Sequence, residues 1–156
     1  FLFMCDIIMY IKRDMKWSYI MKKQSRSAAR EAAFTQIFQI NQHGEELDYI
    51  LDELLAEKPE CRDNLGYITT VVGGVKEKRD ELVNIVSQHL KKGWTVDRIS
   101  KVSLTILKLA LYEILYVDDV PEKVAINEAV NLAKKYGTDS DPAFVNGVLG
   151  SYVNGR

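Results

Sequence analysis

Cysteine, histidine and proline are scarce in this chain. Its 156 residues contain two cysteines (Cys5 and Cys61), two histidines (His43 and His89) and three prolines. Two cysteines cannot form a disulfide framework, and together with two histidines they make no plausible four-ligand zinc site, so neither a metal nor a cofactor is expected. Long hydrophobic runs are missing as well. In the opening stretch the longest uncharged apolar run, Ile7 to Ile11, is too short to span a bilayer, and the parts of a secretory signal are not present. Nor does either sign of charge dominate: 21 Lys and Arg face 22 Asp and Glu for a net charge of −1, without the basic excess typical of a nucleic-acid binder.

What is there points to a folded domain. With 47% apolar and 28% charged residues, the composition is neither that of a disordered chain nor that of a membrane-embedded one. The length suits one domain burying roughly two thirds of its unfolded surface. The small net charge conceals an asymmetry. Residues 1–30 hold seven basic and two acidic side chains, a net charge of +5, and the remainder is correspondingly acidic at −6. A basic arm on an acidic body suggests a polyanion or an acidic surface as partner, with a merely solvated tail as the alternative.

Residues 1–20 are expected to be an extension upstream of a natural start at Met21, with a weak amphipathic membrane anchor as the other reading. Discounting them leaves residues 21–156 as one domain and reduces the arm to Lys22, Lys23, Arg26 and Arg30.

From Ser27 onward the apolar spacing is helical. Ala29, Ala33, Ile37 and Ile40 predict a first helix over about 27–42, with Ser27 as N-cap and Gly44 as its stop. A second helix is expected over 45–57, and 65–90 reads as two helices or one bent helix. Gly73-Gly74 lacks the context of a phosphate loop and suggests close approach of another helix backbone. The run from Ile106 to Tyr116 is apolar on nearly every side and predicts a central buried helix, in which Glu113 reads as a satisfied carboxylate. An amphipathic helix over 123–136 follows, closed by Gly137, and Asp141-Pro142 starts the last one with Asp141 as N-cap. The expectation is an all-α bundle of about seven helices.

Five ordered segments carry a family resemblance. Ala29-Arg-Glu-Ala-Ala33, Leu109-Ala-Leu-Tyr-Glu-Ile114, Val120-Pro-Glu-Lys-Val-Ala-Ile-Asn-Glu-Ala-Val130, Leu132-Ala-Lys-Lys-Tyr-Gly137 and Phe144-Val-Asn-Gly-Val-Leu149 together resemble the NusB family of bacterial transcription antitermination factors. The resemblance covers roughly residues 21–152. It implies two packed helical subdomains, a cytoplasmic and non-enzymatic role, and binding of boxA single-stranded RNA from ribosomal RNA operon transcripts together with NusE, a protein of the small ribosomal subunit. It further implies an indirect association with the RNA polymerase elongation complex, no membrane partner, and either a monomer or a homodimer.

Single-stranded RNA is held by cations along its phosphates and by aromatic faces under its bases. Carried onto this chain, the family's RNA surface falls on Lys22, Lys23, Arg26, Arg30, Tyr136, Phe144 and Asn146. Phe144 also stands at helical spacing with Val148, so core packing competes for it, and Tyr136 could instead close a helix end. Asn127 and Glu128 read as structural, bridging neighbouring helices, and the alternative reading of Asn146-Gly147 is close approach of the last helix to another. The family's NusE-binding face points to Phe38 and Asp97. Two departures stand out: the arginine cluster is thinned to Ser25-Arg-Ser-Ala-Ala-Arg30, and Ser103 and Thr105 occupy places where charged residues are common. Four arm cations predict a salt slope no steeper than about −2.8, a grip too weak to act alone. Two alternatives belong to other classes. One is the NusB-like domain found with ribosomal-RNA cytosine methyltransferases, although these residues hold no Gly-rich cofactor turn. The other is a helical protein-interaction adaptor without RNA binding.

Overall fold

In a computed structural model, which describes residues 23–44 and 46–156, seven α-helices account for most of the chain. They are α1 (Arg26–His43), α2 (Leu47–Glu57), α3 (Leu65–Glu77), α4 (Arg79–Gln88), α5 (Lys101–Tyr116), α6 (Glu122–Tyr136) and α7 (Asp141–Asn154). Short 3-10 helices at Pro59–Asn64 and Val96–Arg98 join them, and no strand occurs among the described residues.

Helix α1 begins one turn-fraction earlier than the apolar spacing suggests. Its N-cap is Ser25, whose hydroxyl accepts from the Ala28 N–H at 3.0 Å, whereas Ser27 donates to Glu128 instead. At the other end Gly44 turns the chain at φ 68° and returns its N–H to the Ile40 carbonyl. This left-handed position suits a glycine. The segment 65–90 resolves into two helices that break at Lys78.

The helices form two groups. Helices α1–α3 pack together at the N-terminal side and α4, α6 and α7 surround α5, which also touches α1 and α3 and so joins the groups. The sequence-based expectation for α5 holds: every residue from Thr105 to Glu113 is buried. Ile68, Val71, Val72 and Val75 of α3 meet Ile106, Leu107, Leu109 and Leu111 of α5 in one continuous core.

Gly74 is a point of close approach, but to a ring and not to a helix backbone. A Cβ there would lie 2.1 Å from the Tyr112 ring, so only glycine admits that side chain. Gly137 is not a left-handed cap; its φ is −96°. Its requirement comes from the Asp141 carboxylate, which would sit 2.6 Å from an added Cβ. Asp141 correspondingly lies inside α7, with Ser140 at the cap position, and its carboxylate accepts from the Thr138 N–H at 2.8 Å. Gly147 makes no close helix approach, since nothing lies within 4 Å of a Cβ built there.

Candidate nucleic-acid interface

The basic arm divides once its side chains are placed. Lys22 lies outside the described residues. Lys23 is exposed, and the chain is then anchored by Gln24, whose N–H donates to Asp63 at 3.0 Å and whose side chain donates to the Cys61 sulfur at 3.1 Å. Arg26 is exposed, lies 4.4 Å above the Tyr67 ring and pairs with Asp119 at 3.2 Å. An exposed pair of this kind is worth little, so Arg26 is free to exchange it for a phosphate.

Arg30 corrects the sequence expectation, because it does not reach the surface. It is 3% exposed. Its Nε donates to both Glu113 carboxylate oxygens at 2.9 Å and its Nη1 donates to Glu128 at 3.1 Å. Tyr67 donates to Glu113 at 2.7 Å and Ser27 to Glu128 at 2.7 Å, so α1, α3, α5 and α6 share one polar network. Burial opposes the Arg30 charge, yet the hydrogen bond and charge of Glu113 outweigh it and raise the guanidinium pKa. Burial, followed by the Glu113 charge, drives the Tyr67 phenol far above its ordinary range. Arg30 therefore cross-links the helices, and its two acids answer what Glu113 and Glu128 pair with.

The two aromatic candidates lie in separate environments. The Tyr136 ring rests against Phe34, with centroids 5.0 Å apart, and its hydroxyl donates to Glu31, which Lys135 also binds at 2.6 Å. Burial first, and then Glu31, raises the Tyr136 phenol pKa. The ring remains 37% exposed. Phe144 is half-buried and packs against Trp94, centroids 5.8 Å apart. Asn146 stands exposed one turn-fraction further along α7.

Trp94 is a residue of this surface that the sequence-based expectation does not include. It is 47% exposed, and the Arg98 guanidinium lies 5.4 Å above its ring. With Lys91, His89, Phe144 and Gly147 it lines an open cavity of about 530 Å³. The signal was present in Lys91-Lys92-Gly93-Trp94, two cations beside an aromatic on a turn, which Gly93 makes at φ 87°. It combines phosphate-holding charge with a stacking face, as the arm and Phe144 were expected to do.

Phe38 and Asp97 are not brought together. Phe38 is half-buried and joins the aromatic cluster through Phe34, at 6.2 Å, next to Tyr136. Asp97 is exposed on the second 3-10 helix and lines a different groove together with Ile37 and Ile40. Ser103 and Thr105 are interior, at 0% and 2% exposure, so they cannot replace surface charges in a partner contact. No group of His, Cys, Asp and Glu suited to a metal ion occurs among the described residues. None of the described helices is long and apolar enough to cross a membrane.

Known proteins place this geometry in context. The NusB family profile matches residues 27–154. Transcription antitermination protein NusB of Clostridium novyi is 38% identical over 131 residues, covering 83% of this chain and 98% of that protein. The same-named protein of Lacticaseibacillus paracasei is 44% identical over 131 residues, covering 83% and 95%. Among solved structures, T. maritima NusB superposes with a TM-score of 0.73 at 35% identity, covering 85% of this chain and 93% of that one. A crystal structure of antitermination factors NusB and NusE with double-stranded RNA shares the fold at 24% identity and a TM-score of 0.73, covering 84% and 97%. With the profile spanning all seven helices almost end to end, and relatives of this identity matched over nearly their whole length, the chain belongs to the NusB family.

Proposed function

We propose that this protein is a cytoplasmic, non-enzymatic, RNA-binding transcription antitermination factor that takes boxA RNA of ribosomal RNA operon transcripts jointly with NusE and so serves the RNA polymerase elongation complex. The observation that carries this reading is the exposed Trp94 with Phe144 against it, flanked by Lys91 and Arg98 at an open cavity. Aromatic faces beside cations are what unstacked bases and their phosphates require. The relatives' name, and a structural neighbour solved with NusE and RNA, support the same reading. Lys23, Arg26, Tyr136 and Asn146, all exposed, extend the proposed surface. Phe38 and Asp97 are kept as proposed NusE contacts.

Fluorescence anisotropy with a boxA RNA and a scrambled control, with and without NusE, tests this across a salt series. The expected result is preference for boxA that sharpens when NusE is present, with a shallow salt slope near −2.8 for about four cations. Equal affinity for both RNAs with NusE present would sink the reading. Deletion of residues 1–20 is expected to leave RNA affinity unchanged, and sedimentation at several concentrations separates a monomer from a homodimer.

A further inference from the structure

A second cavity lies away from the Trp94 surface. It is a groove of about 750 Å³ among α1, α3, the start of α4, the second 3-10 helix and α5. Its walls include Ile37, Val72 and Leu104, and Lys108 of α5 lines it from within the buried stretch of that helix. Lys108 is 4% exposed. A buried ammonium group normally has a carboxylate partner, because the lost hydration is otherwise uncompensated. Among the described residues Lys108 has no ion pair and no side-chain hydrogen bond; no interaction of either kind involves it.

Its charged neighbour is another cation. Arg79, at the start of α4, lines the same groove and likewise has no ion pair among the described residues. Burial first, and then the Arg79 charge, lowers the Lys108 pKa to about 8. Lys76 and Lys101 add to the positive lining, the former paired with Glu46 at 3.7 Å and the latter donating to Gln42 at 3.0 Å. Asp97 is the one carboxylate among the lining residues, and it forms no ion pair with Lys108 or Arg79. A nearly buried lysine and an exposed arginine thus line one open groove, and its one acid pairs with neither.

We propose that this groove is an oxyanion site, in which Lys108 and Arg79 hold a phosphate or carboxylate group. An entering anion removes both penalties at once: it replaces the hydration lost by Lys108 and screens it from Arg79. The space exceeds that of a single phosphate or carboxylate, so the group belongs to a larger ligand whose apolar part lies along the half-buried Ile40, Val83 and Leu104. This site is independent of the proposed RNA surface, which uses other residues.

The test uses the full chain at pH 7 and constant ionic strength set with chloride, titrated with inorganic phosphate or with acetate. Thermal denaturation and the ¹³Cε resonance of Lys108 are the readouts. Phosphate is expected to raise the melting temperature and to move the Lys108 pKa upward by about one unit. Both responses should vanish in Lys108→Met, and Arg79→Gln should weaken phosphate binding about tenfold. Arg79 is exposed, so its variant also decides the question if Lys108→Met fails to fold. A response to phosphate alone assigns a phosphoryl ligand, and an equal response to acetate assigns a carboxylate. No response to either anion, or a phosphate response undiminished in both variants, overturns the proposal.

Discussion

Arg30 and Glu113 stand 83 positions apart in the chain and meet in the core, the Arg30 Nε lying 2.9 Å from both oxygens of the Glu113 carboxylate. Glu113 has no solvent exposure at all, and Glu128 closes the other side of the guanidinium. The pair ties α1 to the central helix, where a planar fork matches a carboxylate in a way that a lysine cannot.

Removing Arg30 should therefore unfold rather than merely weaken binding. Arg30→Ala strands Glu113 without its cation and is expected to lower stability by about 3–5 kcal/mol. Arg26→Ala, which breaks only an exposed pair, should cost no more than about 1 kcal/mol. Urea denaturation of the two variants makes the comparison. Equal midpoints would show that Arg30 has no structural role.

The aromatic surface predicts the opposite pattern. Phe144→Ala and Trp94→Ala are each expected to weaken RNA binding by about 1–3 kcal/mol, the contribution of one stacked base. Trp94 is too exposed for its loss to affect stability strongly. A collapse of the melting temperature in Phe144→Ala, with RNA affinity otherwise intact, would assign that ring to packing alone.

Lys108 makes stability depend on pH. Its folded pKa of about 8 lies below the ordinary 10.5. Between these values the unfolded chain binds more protons, so stability rises with pH, in total by on the order of 3 kcal/mol. The Cys61 thiol and the Tyr67, Tyr112 and Tyr136 phenols are shifted upward, and act in the opposite direction above about 9 and 10 respectively. From pH 8 to 9 the Lys108 gain exceeds the opposing Cys61 loss, so denaturant midpoints should report a net gain of roughly half a kcal/mol that Lys108→Met abolishes. A midpoint that falls over this interval contradicts the assignment.

Two glycines of α3 should respond with opposite signs. Gly74→Ala forces the buried Tyr112 ring aside and is expected to cost about 1–3 kcal/mol. Gly66→Ala meets open space on the same helix and should stabilise by a few tenths to about 1 kcal/mol. Thermal melts of both variants distinguish the close contact from a general helix-propensity effect.

The helices were legible wherever local chemistry sets them. The spacing of Ile68, Val71, Val72 and Val75 marks α3, and the unbroken apolar run around Leu107 marks α5 as central. Errors gathered where a side chain has a long-range alternative. Ser27 looks like an N-cap but is drawn to Glu128 on α6, leaving the cap to Ser25. Asp141 looks like an N-cap but bonds Thr138 from inside α7. The candidate interface was legible in part: Phe144 was found, and Trp94 was missed although its flanking lysines announced it.

Periodicity, caps and the order of five segments determined by themselves that this chain is an all-helical member of its family, because helix formation and burial pattern depend on neighbours within a few positions. The fate of each charge was decided only by the tertiary structure. Arg26 and Arg30 sit one turn apart on α1, yet one faces solvent and the other is sealed between Glu113 and Glu128. Lys108 is buried with no ion-pair partner among the described residues. Whether a cation binds RNA, locks helices or waits for an anion depends on which carboxylate the fold brings within about 3 Å, and sequence distance carries no record of that.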